Sequence, residues 1–334
     1  MITAEEMLSA ELVRALPLRE RAGLVISTLN ARDALQAILA AEQAGVRQVW
    51  TTQGPTTLDA LAIYTTAAAQ TSTIRMGTSI LPIYPRHPLA VVAQARTFNE
   101  LAPGRLRLGI GTSHRPIVEG VYGIEMQAPL ERLREYTGVL RAALWEGKVN
   151  HHGRFYHASA SFPGLNRVPL LVSALGKSAF RTAGELADGA LSWICPVPYL
   201  LQTSLPALRE GAQRAQRPTP PLIAHIPVAL DLDPGTSAPA PHQMLAAARK
   251  RLGGYGKMPF YRNMFAEAGY AVSDDGILPD DLLTNLVVWG DEPTVFAHLS
   301  SLLSGGLDEI NLMIIPVKDE AREWSRLAHL IGQL

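Results

Sequence analysis

The feature that most constrains this chain is a recurrence: short β-branched runs alternate with longer amphipathic stretches along almost its whole length. Period-2 or continuously apolar runs mark strands at 24–29, 48–52, 74–81, 105–111, 169–174, 190–194, 222–230 and 309–315. Helical periodicity fills the intervals at 33–44, 58–70, 88–101, 130–145, 177–187, 198–214, 292–303 and 320–330. Punctuation agrees with these bounds: Gly45 stops one helix, Pro88 opens another, and Pro103-Gly104 turns the chain after it. Strands separated by helical crossovers must pair in parallel, because no tight turn spans that distance. Eight such units favour a closed (β/α)8 barrel, the TIM barrel, over an open sheet.

Two stretches interrupt the rhythm. Residues 149–164 read as a hairpin insertion. Residues 232–285 begin with the loop DPGTSAPAP, continue as a helix at 242–252, and then run into GGYGKMP, which suggests a lid-like insertion rather than a second core. Residues 1–20 read as an N-terminal extension covering the barrel floor or a subunit contact. The expectation is one barrel domain over 1–334, since barrels of this length are commonly single domains.

Composition matters where it excludes partners. Thirty basic and thirty acidic residues cancel, so no excess charge points to nucleic acid or to an anionic membrane surface. A hydrophobic share of 47% with 18% charged residues suits strands buried on both faces. Cys195 is the only cysteine, which removes intramolecular disulfides and cysteine-based zinc clusters from consideration. The start of the chain lacks the basic-then-apolar order of a signal peptide, and no apolar run reaches membrane-spanning length. These features lead to the expectation of a soluble, cytoplasmic protein acting on a small molecule.

In such a barrel the chemistry sits on the loops that follow the strands. Those positions are Asn30; Thr51, Thr52 and Gln53; Ser79, Ile80, Pro82 and Tyr84; Gly111 to His114; Ser173 to Ser178; Trp193 and Cys195; His225; and Ile315 with Pro316. The set is polar, small and aromatic, and it holds no acid pair suited to glycoside hydrolysis. His151, His152 and His157 have a metal-like spacing but no carboxylate partners, so no metal is expected. Cys195 reads as a small buried filler, His87 as a helix start, and Trp50, Trp193 and Trp289 as core or ring-packing residues.

The segment GTSILPIYPRHPLAVVAQARTFNELAPGRLRLGIGTSH, residues 77–114, resembles the luciferase-like family of flavin- and deazaflavin-dependent oxidoreductases. The resemblance continues through SALGKSAFRTAGELADGAL at 173–191 and GDEPTVFAHLSSLLSGGLDEINLMIIP at 290–316. Within that family, Ser173-Ala174-Leu175-Gly176-Lys177 and Gly77-Thr78-Ser79-Ile80 are similar to members that use coenzyme F420, a 5-deazaflavin. FMN is the alternative cofactor.

The resemblance implies a cis peptide at Ser79-Ile80 against one face of the cofactor ring. It implies cofactor contacts from Thr52, Ser79, Ile80, Gly111, Thr112, Ser113, Ala174, Leu175, Gly176 and Lys177. Glycines at 109 and 111 let the backbone approach a ligand, and Thr112 and Ser113 offer hydroxyls. Free amides at the helix start near Gly176 to Ser178, with Lys177 alongside, suit the cofactor's phosphodiester. His114 is the first candidate for acid/base work, and Gln53 the second polar group of the chemistry. Sugar-phosphate dehydrogenases of the family carry an Asp-His pair at the end of strand two; here Thr-Thr-Gln stands instead, which argues against that activity. The implied function is hydride transfer between F420 and an unsaturated or carbonyl substrate, in a homodimer. Two other readings stay open: an FMN-dependent monooxygenase served by a partner flavin reductase, and a non-catalytic flavin-binding protein.

Overall fold

Eight parallel strands close on themselves in the computed structural model, which describes residues 8–27, 30–230 and 241–334. They are β1 (Ala22–Ile26), β2 (Gln48–Thr51), β3 (Arg75–Thr78), β4 (Leu106–Gly111), β5 (Leu170–Ser173), β6 (Gly189–Ser192), β7 (Leu222–Leu230) and β8 (Glu309–Ile314). Each pairs with its sequence neighbour, and β8 returns to β1 through Ala22↔Ile310, Gly23↔Asn311 and Leu24↔Leu312, which closes the ring. This is the expected (β/α)8 barrel.

Several boundaries differ from the sequence reading. β1 starts two residues earlier than expected and ends at Ile26; positions 28 and 29 of that reading lie outside the described residues. The third strand stops at Thr78, and the chain resumes pairing only at Leu81–Pro82, against Ile110 and Gly111 of β4. The stretch 198–214 contains a π-helical turn at Leu200–Ser204 ahead of Leu205–Arg214, because Pro206 has no amide to continue the regular ladder. A three-residue strand, Val288–Gly290, lies along the far end of β7 and is too short for periodicity to reveal.

Of the 232–285 stretch, 232–240 lies outside the described residues. The remainder holds helices Pro241–Leu252, Pro259–Glu267 and Asp280–Leu286, with a 3-10 turn at Gly253–Lys257. The 149–164 stretch is an antiparallel hairpin, Lys148–His152 with His157–Ser161. None of the described helices is long and apolar enough to cross a membrane.

Trp50 fills the barrel interior and is wholly buried. A Cβ at position 77 would stand 2.3 Å from its ring, so only glycine allows β3 to pass. At the N-terminal end, beneath Trp50, Arg107 and Glu309 form a bidentate pair at 2.6 and 2.8 Å, with Gln48 bonded to both. The Arg107 guanidinium also stacks 5.1 Å from the Trp50 ring centre. Arg75 reaches Glu20 at 2.7 Å, and Arg21 donates to the carbonyls of Leu303, Leu307 and Asp308. Residues 8–21 thus pack on the floor of the barrel, whose charges are paired among themselves and point away from chemistry.

Candidate active site

The opposite rim, at the C-terminal ends of the strands, carries irregular backbone. The Ser79–Ile80 peptide bond is cis, as the resemblance implied. Ser113, two residues past β4, has φ +59°, and Ile194, two residues past β6, has φ +43°. A β-branched residue in the left-handed region is strained and persists only where its surroundings enforce it. Ile194 lies between Trp193, whose ring centre is 4.8 Å from that of His225, and the buried Cys195. Burial pushes the Cys195 thiol up to about 12, so it stays protonated and unreactive.

Two glycines of β4 differ in what they pack against. A Cβ at position 109 would meet the Thr78 carbonyl oxygen at 2.0 Å and Leu191 at 2.5 Å, which is barrel interior. A Cβ at position 111 would meet Ser173 Oγ at 2.2 Å and Ile80 Cγ1 at 3.1 Å, which is the rim. Gly111, Ile80 and Ser173 therefore come together as one cradle. Beside it, the Ser79 hydroxyl is buried without a hydrogen-bond partner.

The helix Lys177–Leu186 begins at Gly176 with no side-chain cap. Its first carbonyl bonds go from Ala179 and Phe180 to Gly176 O, and a Cβ at Gly176 would meet nothing within 4 Å. The site is thus open, with exposed Lys177 and Ser178 at its edge. Backbone amides at such a start, with the helix dipole behind them, favour a phosphate. Ala174 is buried, its amide bonded to Leu191 O, and Leu175 is half-buried.

His114 precedes the short helix Arg115–Gly120 and makes no capping bond. Burial lowers its pKa, so the imidazole is neutral at ordinary pH. Its ring lies 5.8 Å from Tyr261, Tyr261 lies 4.8 Å from Tyr255, and Tyr255 lies 6.3 Å from Trp193. An aromatic arc thus runs from the end of β4 to the end of β6, with the 253–267 segment as its middle. Thr112 is half-buried and its hydroxyl makes only a long bond, 3.4 Å, to Ser113 O. Gln53 commits its amide oxygen to the Ala60 N–H, at the start of helix Ala60–Ala68, which leaves its amino group available; Thr52 is exposed.

His225 stands among the strand-end positions named from the sequence, though without a role there; it lies in the layer just inside the mouth. His225 is fully buried, and its Nδ1–H donates to Ser192 O at 2.6 Å, which leaves Nε2 as an acceptor facing Asn311 Nδ2 at 3.5 Å. Desolvation holds its pKa down to about 4. Ser192 Oγ and Asn311 Oδ1 are buried without partners. Tyr255 and Tyr261 were missed; the aromatic density of GGYGKMPFYRNMF was the available signal.

A buried orphan hydroxyl, a glycine packed directly against Ile80 and Ser173, and an uncapped helix start together fit a planar ring with a phosphate-bearing chain. The sequence profile of luciferase-like monooxygenases matches residues 12–309. The chain belongs to the luciferase-like monooxygenase family. Among its luciferase-like relatives is an F420-dependent glucose-6-phosphate dehydrogenase of Beutenbergia cavernae, 36% identical over 224 residues, covering 61% of this chain and 65% of the relative. Among solved structures, the coenzyme F420-dependent tetrahydromethanopterin reductase of Methanopyrus kandleri superposes with TM-score 0.73 at 21% identity, covering 94% of this chain and 97% of that one. The FMN-bound oxygenating constituent of 3,6-diketocamphane monooxygenase from Pseudomonas putida also gives 0.73, at 15% identity, covering 94% and 96%. Both structures share the luciferase-like barrel.

Proposed function

We propose that this luciferase-like protein is an F420-dependent oxidoreductase that moves a hydride between the deazaflavin and an unsaturated or carbonyl-bearing small molecule. The observation that carries the reading is the meeting of Ile80, Gly111 and Ser173 in one cradle beside the buried, unpartnered Ser79 hydroxyl. When bound, the cofactor supplies the hydride carrier. The amides of Gly176 to Ser178 and the Lys177 ammonium would hold its phosphodiester, while Ile80 and Gly111 would back the ring, with Thr52, Thr112, Ser113, Ala174 and Leu175 around it.

The protein's own chemistry is modest. A neutral His114 imidazole accepts a proton from a hydroxyl being oxidised, or donates a hydrogen bond to a carbonyl being reduced. The Gln53 amino group orients the substrate, since an amide does not titrate. The roof formed by Tyr255, Tyr261 and Trp193 excludes water and favours an apolar or aromatic substrate over a sugar phosphate. Similarity to the F420-dependent dehydrogenase of Beutenbergia cavernae supports the deazaflavin, and the Thr51-Thr52-Gln53 end of β2 supports a different substrate. FMN with an external flavin reductase is the second reading, favoured by the superposition on the FMN-bound Pseudomonas putida protein.

The test is expression in a deazaflavin-producing host, followed by the absorbance spectrum of the purified protein and anaerobic turnover over ketones, alcohols and enones. We expect a co-purified deazaflavin chromophore and oxygen-independent turnover in a homodimer of cytoplasmic origin. Preferential FMN binding with oxygen-dependent turnover would replace this reading with the monooxygenase. Tight binding with no turnover in either arm would leave a non-catalytic binding protein.

A further inference from the structure

Arg132 lies in the first turn of helix Pro129–Trp145, and its guanidinium carbon is 4.7 Å from the ring centres of both Tyr84 and Phe155 and 5.7 Å from that of Tyr156. Its Nε is buried without a hydrogen-bond partner. The neighbouring carboxylates are committed elsewhere. Glu131 pairs with Arg154, Glu119 with Arg115 and the Met126 amide, and Asp59 with Arg86. Glu135 is held by the amides of Arg154, Phe155 and Tyr156 and by His151. Tyr84 and Tyr156 are 6% and 7% exposed; the Tyr84 phenol oxygen has no hydrogen-bond partner, and that of Tyr156 is turned toward the Arg132 guanidinium without well-formed bond geometry.

An arginine stacked between aromatic rings, without a carboxylate and beside two buried phenols that bond no acceptor, is the donor set that binds a planar or tetrahedral oxyanion. A buried phenol whose proton meets no acceptor costs stability that phenylalanine in the same space would not. The cluster also stands on the chemical rim: Tyr84 follows the cis bond by four residues, and barrel helices start on the face where the strands end.

We propose that Arg132, Tyr84 and Tyr156 form an oxyanion subsite that takes one carboxylate or phosphate group of an extended ligand held at the barrel mouth. Assigning that group to the cofactor's acidic tail rests on the F420 reading above; the oxyanion site itself does not.

The test reads the Arg132 Nε–H resonance by NMR, assigned by its absence in Arg132→Met. Inorganic phosphate added at constant ionic strength should shift it saturably. Tyr84→Phe/Tyr156→Phe, which keeps both rings, should weaken that phosphate binding by about tenfold. Absence of a phosphate-dependent shift, or unchanged affinity in the double variant, overturns the proposal. Two further titrations locate the source of the anion: the complete deazaflavin cofactor, and the same deazaflavin cut back to remove its tail. A shift with the complete form alone supports the cofactor tail. A shift with phosphate but with neither deazaflavin supports the site with the substrate as its anion, and leaves failure of the cofactor reading separately visible.

Discussion

A methyl group placed at position 111 probes the proposed ring cradle directly. An ideal Cβ there would lie 2.2 Å from Ser173 Oγ, and 3.1 Å from both Ser173 Cβ and Ile80 Cγ1. The first contact can be relieved by rotating Ser173 to another staggered well. The two carbon contacts can be relieved only by separating β4 from β5 or by moving Ile80, since carbon atoms settle at roughly 3.5–4.0 Å. Overpacking of this kind costs about 1–3 kcal/mol. For a chain of this size that lowers Tm by roughly 1–4 °C. The larger effect should fall on the ligand: displacement of Ile80 worth about 1.4 kcal/mol weakens cofactor binding tenfold. Gly111→Ala should therefore retain the fold and raise Kd by about tenfold or more, measured by quenching of cofactor fluorescence. Adding Ser173→Ala removes the Oγ contact and should recover part of the Tm loss. It should not restore Kd, because the contact with Ile80 remains. If Gly111→Ala binds deazaflavin and FMN like the parent protein, the cradle is not where the ring lies. Gly109→Ala supplies the contrast: its Cβ would meet backbone at 2.0 Å, so the loss should appear as soluble yield rather than as affinity.

Three further outcomes follow from the same structure. His114→Ala should cut turnover far more than cofactor affinity, and the acid limb of the parent's pH–rate profile should fall below the ordinary imidazole value, because burial lowers the His114 pKa; a limb at or above pH 6.5 would refute that role. His225, held down to about 4, contributes stability that is fully present above its unfolded pKa and is lost as pH falls from about 6.5 through 4. The shift amounts to about 3 kcal/mol at the acid end, and His225→Asn should flatten that part of the denaturation midpoint against pH. On the floor, Glu309→Leu should cost about 3–5 kcal/mol by stranding the Arg107 charge, whereas Arg107→Met/Glu309→Leu should regain most of it; equal losses in urea denaturation would show that the pair itself, not the stranded charge, sets the cost.

The barrel was legible because its signal is repeated. The strands bury both faces, so most read as largely apolar runs, and the helical crossovers between them force parallel pairing. The rim was legible in part, through glycines whose positions only a close approach explains. What escaped was juxtaposition. Nothing in the local sequence joins Tyr84, Arg132 and Tyr156, which come from the loop after β3, a helix start and a hairpin, or His225 and Asn311, which meet only because β7 and β8 are neighbours in register. Gln53 shows a limit of position alone: it follows β2, where chemistry is expected, yet its amide oxygen serves the following helix and only its amino group is left for a ligand. A helix start needs that oxygen whatever the protein does, so strand-end position alone overstates a residue's availability.

The two ends of the barrel differ in what their buried side-chain oxygens meet. On the floor Glu309, Glu20 and Asp308 all meet guanidiniums, so the carboxylates there have no capacity left for a ligand. Toward the mouth, the hydroxyls of Ser79, Ser192 and Tyr84 and the Asn311 amide oxygen are buried and idle. Idle buried hydroxyls cost stability in the protein alone, and strained backbone at Ser113 and Ile194 adds to that cost. A ligand that satisfied them would therefore bind and stabilise at once. Cofactor addition should raise Tm by more than its phosphate contacts alone account for, and a truncated ligand carrying only the phosphate chain should give little of that increase.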